Sequence, residues 1–278
     1  MSENNKVISS SVVIYNNDDG ELKNVVNSIL NQSVNIKLFV VDNSPTDKLK
    51  CTFDNRVEYI YNDGKNLGYG AAHNLAIEKS IKENFIYHVV VNPDIFFYDN
   101  VVEPLVQFMN DNLDCGLVMP KVLYPNGETQ YLCKLLPTPY DLIGRRFLPF
   151  KKLIDKRNEK YELRFTNYND LMEAPSLSGC FMLMRIKTLK EIGGFDHRYF
   201  MYAEDMDLSR RIGEISRTVF FPHVTIFHRY EKGSYKKWKL LRYHLISVIK
   251  YFNKWGWFFD EKRKKMNAQC LKKLKYNQ

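Results

Sequence analysis

A repeated pairing constrains this chain most: a short run of β-branched residues, then a polar turn, then a stretch of helical periodicity. Val7 to Tyr15 reads Val-Ile-Ser-Ser-Ser-Val-Val-Ile-Tyr and is stopped by Asn16-Asn17-Asp18-Asp19-Gly20, the pattern of a buried strand and its turn. Asp18 or Asp19 then caps a helix whose apolar face is Leu22, Val25, Val26, Ile29 and Leu30. Ile36 to Val41 predicts a second strand ending at Asp42, Val57 to Tyr61 a third, and Ile86 to Val91 a fourth ending at Asn92-Pro93-Asp94. Gly68 to Lys82 reads as a helix with Ala72, Leu75 and Ala76 facing inward. Asp99 is expected to cap another, with Val102, Leu105, Val106 and Met109 on its buried face. Such alternation implies an α/β fold, a mixed but mostly parallel sheet flanked by helices. Ligands of these sheets bind outside the carboxyl ends of the strands. Asp42 and Asp94 both stand there, which is the first functional clue.

The rest of the chain is less regular. Pro125, Pro137, Pro139, Pro149 and Pro175 interrupt residues 120–176, which read as a long insertion over the site, near where an acceptor would sit. Regular structure returns at Gly179 to Arg185, a helix starts near Glu204, and Val219 to Phe221 is a short strand before Pro222. From Trp238, the residues Leu241, Leu245, Val248, Ile249 and Phe252 recur at helical spacing. Lys236, Lys237, Lys239, Arg242, Lys250 and Lys254 surround them, and Trp255-Gly256-Trp257-Phe258-Phe259 and Lys262-Arg263-Lys264-Lys265 follow. The expected organisation is thus an α/β domain over residues 1–234 and a basic, aromatic, amphipathic helical extension over 235–278. Such a helix either lies on an anionic membrane surface or packs on the domain with its lysines solvated.

Several function classes drop out. The net charge is +9, yet no nucleic-acid-binding signature accompanies it. The five cysteines are odd in number and lack a CxxC pair, which argues against a metal cluster or disulfide framework and for reduced thiols in the cytoplasm. The first residues lack the pattern of a signal peptide, and no run of apolar residues is long enough to span a bilayer. The turn after the first strand is neither GxGxxG nor a P-loop, nor the glycine-rich basic loop that a pyrophosphorylase needs for triphosphate. What remains is carboxylates and a histidine. Asp94, on a turn forced by Pro93, either coordinates a hard divalent cation or caps the next segment. Glu204-Asp205-Met206-Asp207 is either a catalytic cluster or an acidic helix start. His228 is either a ligand or structural, and Gly68 and Gly70 either admit a ligand to the backbone or make a turn.

Taken together and in order, certain segments resemble the family 2 glycosyltransferases. They are Val40-Val41-Asp42-Asn43-Ser44, Asn66-Leu67-Gly68-Tyr69-Gly70-Ala71-Ala72-His73-Asn74, Asn92-Pro93-Asp94, Ser178-Gly179-Cys180-Phe181, Gly193-Gly194-Phe195-Asp196, Tyr202-Ala203-Glu204-Asp205-Met206-Asp207-Leu208, and His228 with Gly233-Ser234. Asn-Pro-Asp in place of Asp-x-Asp resembles the rhamnosyltransferase-like branch of O-antigen and capsule synthesis. The resemblance implies a GT-A fold and an inverting transfer. It places Tyr15, Asn16 and Asp42 around the nucleotide base, Gly68, Gly70, Asn74 and Asn92 beside the nucleotide-sugar, and Mg²⁺ or Mn²⁺ on Asp94 and His228. Asp205 matches the general base, with Glu204 beside it. Asn92 stands where the family has a carboxylate, which implies weaker metal binding.

The chemistry accommodates these roles, because an attacking hydroxyl must lose its proton while the leaving diphosphate gains charge. The expected donor is dTDP-L-rhamnose. The alternatives are UDP-galactofuranose, a UDP-hexose, or a noncatalytic sugar-nucleotide-binding subunit. The expected acceptor is a glycan or a polyprenyl-diphosphate-linked sugar of a bacterial surface polysaccharide, met at the inner face of the plasma membrane.

Overall fold

The computed structural model describes residues 7–53, 55–144, 151–229 and 238–276. Its first half follows the sequence pattern closely. Strand β1 (Ile8–Ile14) is followed by α1 (Asp19–Leu30), β2 (Ile36–Asp42), β3 (Val57–Tyr61), α2 (Tyr69–Lys82), β4 (Tyr87–Val91), β5 (Ile95–Phe96) and α3 (Val102–Asp111). Asp18 caps α1 through its side chain. Asp99 does not cap α3: the backbone N–H groups of Val101 and Val102 instead donate to Gln32 Oε1 at 2.8 and 3.0 Å, so the end of α1 caps its neighbour.

The second half closes the sheet. Strand β6 (Cys115–Leu123), β7 (Cys133–Lys134), α4 (Lys151–Tyr161), β8 (Met172–Glu173), β9 (Ser176–Leu177), β10 (Phe181–Arg185), α5 (Ile186–Ile192), α6 (Glu204–Gly213) and β11 (Arg217–His228) follow in order, then α7 (Trp238–Trp255) and α8 (Glu261–Lys273). The main sheet runs β3-β2-β1-β4-β10-β6-β11-β5, with β8 on β11. Strands β3, β2, β1 and β4 are parallel, and β10 lies antiparallel between β4 and β6.

Two sequence expectations change here. Pro120 belongs to β6, opposite Phe221, so the irregular segment begins after Leu123. Pro222 does not end its strand, because a bulge between Phe221 and Thr225 absorbs the missing donor and β11 runs on to His228.

Alternation along the strands splits the core in two. Val12, Leu38, Val89, Val91 and Leu183 face α1 and α3. Val13, Phe39 and Val41 face Ala72 and Ala76 of α2, while Val90, Leu117, Met182 and Met184 pack with Leu208 and Ile212 of α6. Ser9 and Ser11 of β1 are buried on the α2 side, where Ser9 Oγ and Ser11 Oγ each lie 2.8 Å from a ring nitrogen of His88, and Ser11 Oγ lies 2.7 Å from His73 Nδ1. Burial pushes His88 down to about 3 and His73 well below its ordinary value, so both imidazoles are neutral.

Candidate active site

The loops at the carboxyl ends of β1, β2 and β3 are stitched into one surface. Asn43 N–H donates to Ile14 O at 3.0 Å, and Asn16, in the left-handed region at φ 53°, donates to Ser44 Oγ at 2.9 Å. Asn43 Nδ2 donates to Gly68 O at 3.1 Å, and its Oδ1 accepts from Asn62 Nδ2 at 2.6 Å. Tyr15 stands at this edge, 48% exposed. Asp42 is fully buried: Oδ1 accepts from Ser44 N–H at 2.7 Å and Oδ2 from the Tyr59 hydroxyl at 2.5 Å. It therefore organises Ser44 and Tyr59, and a nucleotide base would meet those groups before the carboxylate.

Gly68 opens α2 at φ 83°, and a Cβ there would lie 2.2 Å from Phe200 O, so only glycine fits. At Gly70 a Cβ would come within 2.9 Å of Phe195 Cβ. The Asn74 amide, buried, clamps one residue: Nδ2 donates to Phe195 O at 2.8 Å and Oδ1 accepts from Phe195 N–H at 2.9 Å. Gly68, Gly70 and Asn74 thus hold the segment that leads into α6.

Strand register brings Asp94 and His228 together. Strand β5 pairs antiparallel with β11, with His228 opposite Ile95, the residue after Asp94. Asp94 Oδ1 lies 3.2 Å from His228 Nε2. On the other side of the ring, His228 Nδ1 is 3.0 Å from Gln130 Oε1, while Gln130 Nε2 donates to His228 O at 2.8 Å. That second bond fixes the amide, so Nδ1 carries the proton that Gln130 Oε1 accepts. In the neutral ring Nε2 then presents a lone pair toward a carboxylate oxygen. A proton on Nε2 makes this pair an ion pair, whereas a divalent cation would take both atoms as ligands, with the Gln130 carbonyl oxygen as the outer partner of the histidine. The donor set fits Mg²⁺ or Mn²⁺. Among the described residues no cluster of three or more such ligands forms, so a metal here would complete its shell with diphosphate oxygens and water.

Asp205 is tied to β10, which pairs with the strand that leads into the Asp94 turn. Its Oδ2 accepts from Gly179 N–H at 3.0 Å, just before β10. A Cβ on Gly179 would lie 3.1 Å from Asp205 Cβ, so the glycine leaves room for the carboxylate. The Tyr69 hydroxyl donates to Gly179 O at 2.6 Å and lies 3.0 Å from Asn92 Oδ1. Burial, then the charges of Glu204, Cys180, Asp205 and Asp94, hold the Tyr69 phenol well above its ordinary value. Tyr69 therefore joins the two halves of the site. Glu204 is buried, and burial followed by the Asp205 charge pushes its carboxyl up to about 8. Asp207 is fully buried and points the other way, accepting from Arg211, Lys254 and Trp255.

A fold of this strand order, with acidic groups gathered at its carboxyl edge, can be compared with known proteins. The sequence model described as Glycosyl transferase family 2 matches residues 10–193. The chain belongs to that family. This chain is 27% identical over 181 residues to an N-acetylglucosaminyl-diphospho-decaprenol L-rhamnosyltransferase of Mycobacterium tuberculosis, covering 59% of this chain and 56% of that protein. It thus spans little more than half the length of the mycobacterial relative. It is 22% identical over 247 residues to Rhamnosyltransferase WbbL of Escherichia coli K12, covering 86% and 90% of the two chains. Among solved structures it resembles the mannosyltransferase PcManGT from Pyrobaculum calidifontis in complex with GDP-Man and Mn²⁺, with a TM-score of 0.59 at 16% identity, covering 87% of this chain and 64% of that one. The fold is the GT-A fold.

Tyr69, Tyr59 and Gln130 also contact the candidate site residues. Tyr69 lies between Gly68 and Gly70, and that position is its signal in the sequence. Gln130 falls in the irregular segment and carried none. Gly233-Ser234 and the residue 234/235 boundary lie outside the described residues.

Proposed function

We propose that this family 2 enzyme is an inverting rhamnosyltransferase that takes L-rhamnose from dTDP-L-rhamnose. The observation that carries this reading is the hydrogen-bonded path Asp205–Gly179–Tyr69–Asn92, which links one carboxylate to the turn that bears Asp94, 3.2 Å from His228. In this reading the acceptor hydroxyl oxygen bonds to the anomeric carbon as the bond to the diphosphate oxygen breaks, and that electron pair leaves with the diphosphate. Asp205 takes the hydroxyl proton. Asp94 and His228 would hold Mg²⁺ or Mn²⁺, which supplies positive charge against the leaving diphosphate. Tyr15 and the Asn16–Ser44 and Asp42–Tyr59 pairs line the nucleotide side, while Gly68 and Gly70 let the backbone come close.

The rhamnose assignment draws on the two rhamnosyltransferases among the relatives and on Asn92-Pro93-Asp94. The acceptor in this reading is a glycan or a polyprenyl-diphosphate-linked sugar of a surface polysaccharide, met at the cytoplasmic face of the membrane. Incubation with dTDP-L-rhamnose, UDP-galactose and UDP-N-acetylglucosamine, each with a lipid-linked acceptor and Mg²⁺ or Mn²⁺, is the test. Transfer from dTDP-L-rhamnose alone is expected. Product only from a UDP-sugar overturns the donor and leaves the family standing, and donor binding without transfer from any of them favours a noncatalytic subunit.

A further inference from the structure

The α6 acidic cluster contains three carboxylates with three different surroundings. Asp205 faces Gly179, Glu204 is buried beside it, and Asp207 faces the C-terminal helix α7. The bonds to Asp207 are numerous for one side chain. Lys254 Nζ donates to its Oδ1 at 2.5 Å and Trp255 Nε1 to the same oxygen at 2.8 Å, while Arg211 Nε donates to Oδ2 at 2.7 Å. Lys254 Nζ also donates to Asp196 Oδ2 at 2.8 Å, at the start of the segment leading into α6.

That segment is held along its length by the same helix. Ser247 Oγ donates to Met201 O at 2.7 Å and Lys250 Nζ to Arg198 O at 2.6 Å. Val248, Tyr251 and Phe252 are fully buried against Tyr199, Ala203 and Leu142. From the opposite side Tyr69 N–H donates to Phe200 O at 2.9 Å. The segment ends in two successive non-glycine residues in the left-handed region, Tyr202 at φ 69° and Ala203 at φ 65°, immediately before Glu204 and Asp205. Ala203 offers no side-chain cap to the helix. A backbone so strained persists only where its surroundings over-determine it, and such strain clusters at sites where it aims a functional group.

We propose that Lys254, Trp255 and Ser247 of α7 are positioning residues for Asp205. They brace the strained Tyr202-Ala203 turn from the C-terminal side, so the last part of the chain sets the aim of the catalytic carboxylate as well as covering the domain. The proposal rests on the reading of Asp205 as the base. Release of the brace lets the turn relax, and Asp205 shifts against the bound donor while the nucleotide-side loops stay in place. Misplacement of a catalytic group by about 1 Å costs roughly a hundredfold in rate.

The test uses the full-length chain and the sugar nucleotide and lipid-linked acceptor that support transfer in the donor panel above. Lys254→Met is expected to lower kcat by about tenfold to a hundredfold with donor KM changed by less than about threefold, and Lys254→Arg to restore most of that loss. Ser247→Ala, a milder change, is expected to lower kcat by about threefold or more at an assay temperature well below its Tm. A second readout needs no donor: amide hydrogen exchange over residues 201–206 should speed up about tenfold in both variants, while the amides of β1 and β4 stay unchanged. Wild-type kcat in folded Lys254→Met and Ser247→Ala overturns the proposal, and so does unchanged exchange over 201–206. Asp205→Asn separates the two readings. If it remains active, the base assignment fails; if it is inactive while the α7 variants turn over normally, only the brace fails.

Discussion

Glu204 is adjacent to Asp205 in sequence but buried, and that burial gives it a different part. An unfolded chain releases the Glu204 proton near 4.5, whereas the fold keeps it to about 8. Between those values the unfolded state binds fewer protons, so rising pH favours unfolding, and the stability present below 4.5 is lost by about pH 8. Glu204→Gln removes that loss. Its Tm, measured by calorimetry from pH 5 to 8.5, should gain on the wild type as pH rises; parallel profiles would mean that Glu204 is not held protonated. Asp94 gives the second test at this scale. Chelation should lower turnover by about tenfold or more, and Asp94→Ala should raise donor KM in Mg²⁺ or Mn²⁺. Full activity in excess chelator, with Asp94→Ala also active, counts against the metal. Asp42 and Asp94 were legible because ligands of open α/β sheets bind at the carboxyl ends of the strands, where both residues stand. The Asp42 burial and the Asn74–Phe195 clamp were not, because both depend on contacts between segments far apart in sequence.

At the scale of elements, β1 to β4 and α1 to α3 could be read from periodicity because each forms its own apolar face. The two-residue strand β5, strand β6 and the continuation of β11 past Pro222 could not. Proline reads as a terminator, and only the bulge opposite Lys121 shows how the strand survives it. Helix α8 reads as a run of lysines, yet Asp260 caps it by accepting from Arg263 N–H at 2.9 Å and binds Arg210 through two bonds of 2.7 Å. Arg210 also lies over the Trp255 ring, 3.9 Å from its centroid. The side chains of this pair are 1% and 3% exposed, so removal of one partner leaves a buried charge uncompensated. Asp260→Ala is expected to cost about 3 kcal/mol in urea denaturation. A loss well under 1 kcal/mol would show that α8 contributes little to holding α6.

On the scale of the whole molecule, the C-terminal helices carry two surfaces. One packs on the domain, through Val248, Tyr251, Phe252 and the Arg210–Asp260 pair. The other leaves Trp238, Phe258 and Phe259 81%, 72% and 89% exposed beside Lys239, Arg242 and Lys262. No helix among the described residues is long and apolar enough to cross a membrane. Exposed aromatics with basic neighbours suit the interface of an anionic bilayer, which is where a polyprenyl-linked acceptor would be found. The full-length protein should float with anionic vesicles at low salt and be released at high salt, and Phe258→Ser with Phe259→Ser should float less. Failure of the unsubstituted protein to float at low salt removes the membrane role. Charge and aromatic content made this surface visible in the sequence; how the same helices divide between packing and exposure became visible only in the fold. The central claim is that Asp205 takes the proton from the acceptor hydroxyl, and single-turnover transfer by Asp205→Asn at saturating donor tests it most directly. The account predicts a rate lower by about two to four orders of magnitude, with donor affinity little changed. A rate close to that of the unsubstituted enzyme would contradict it.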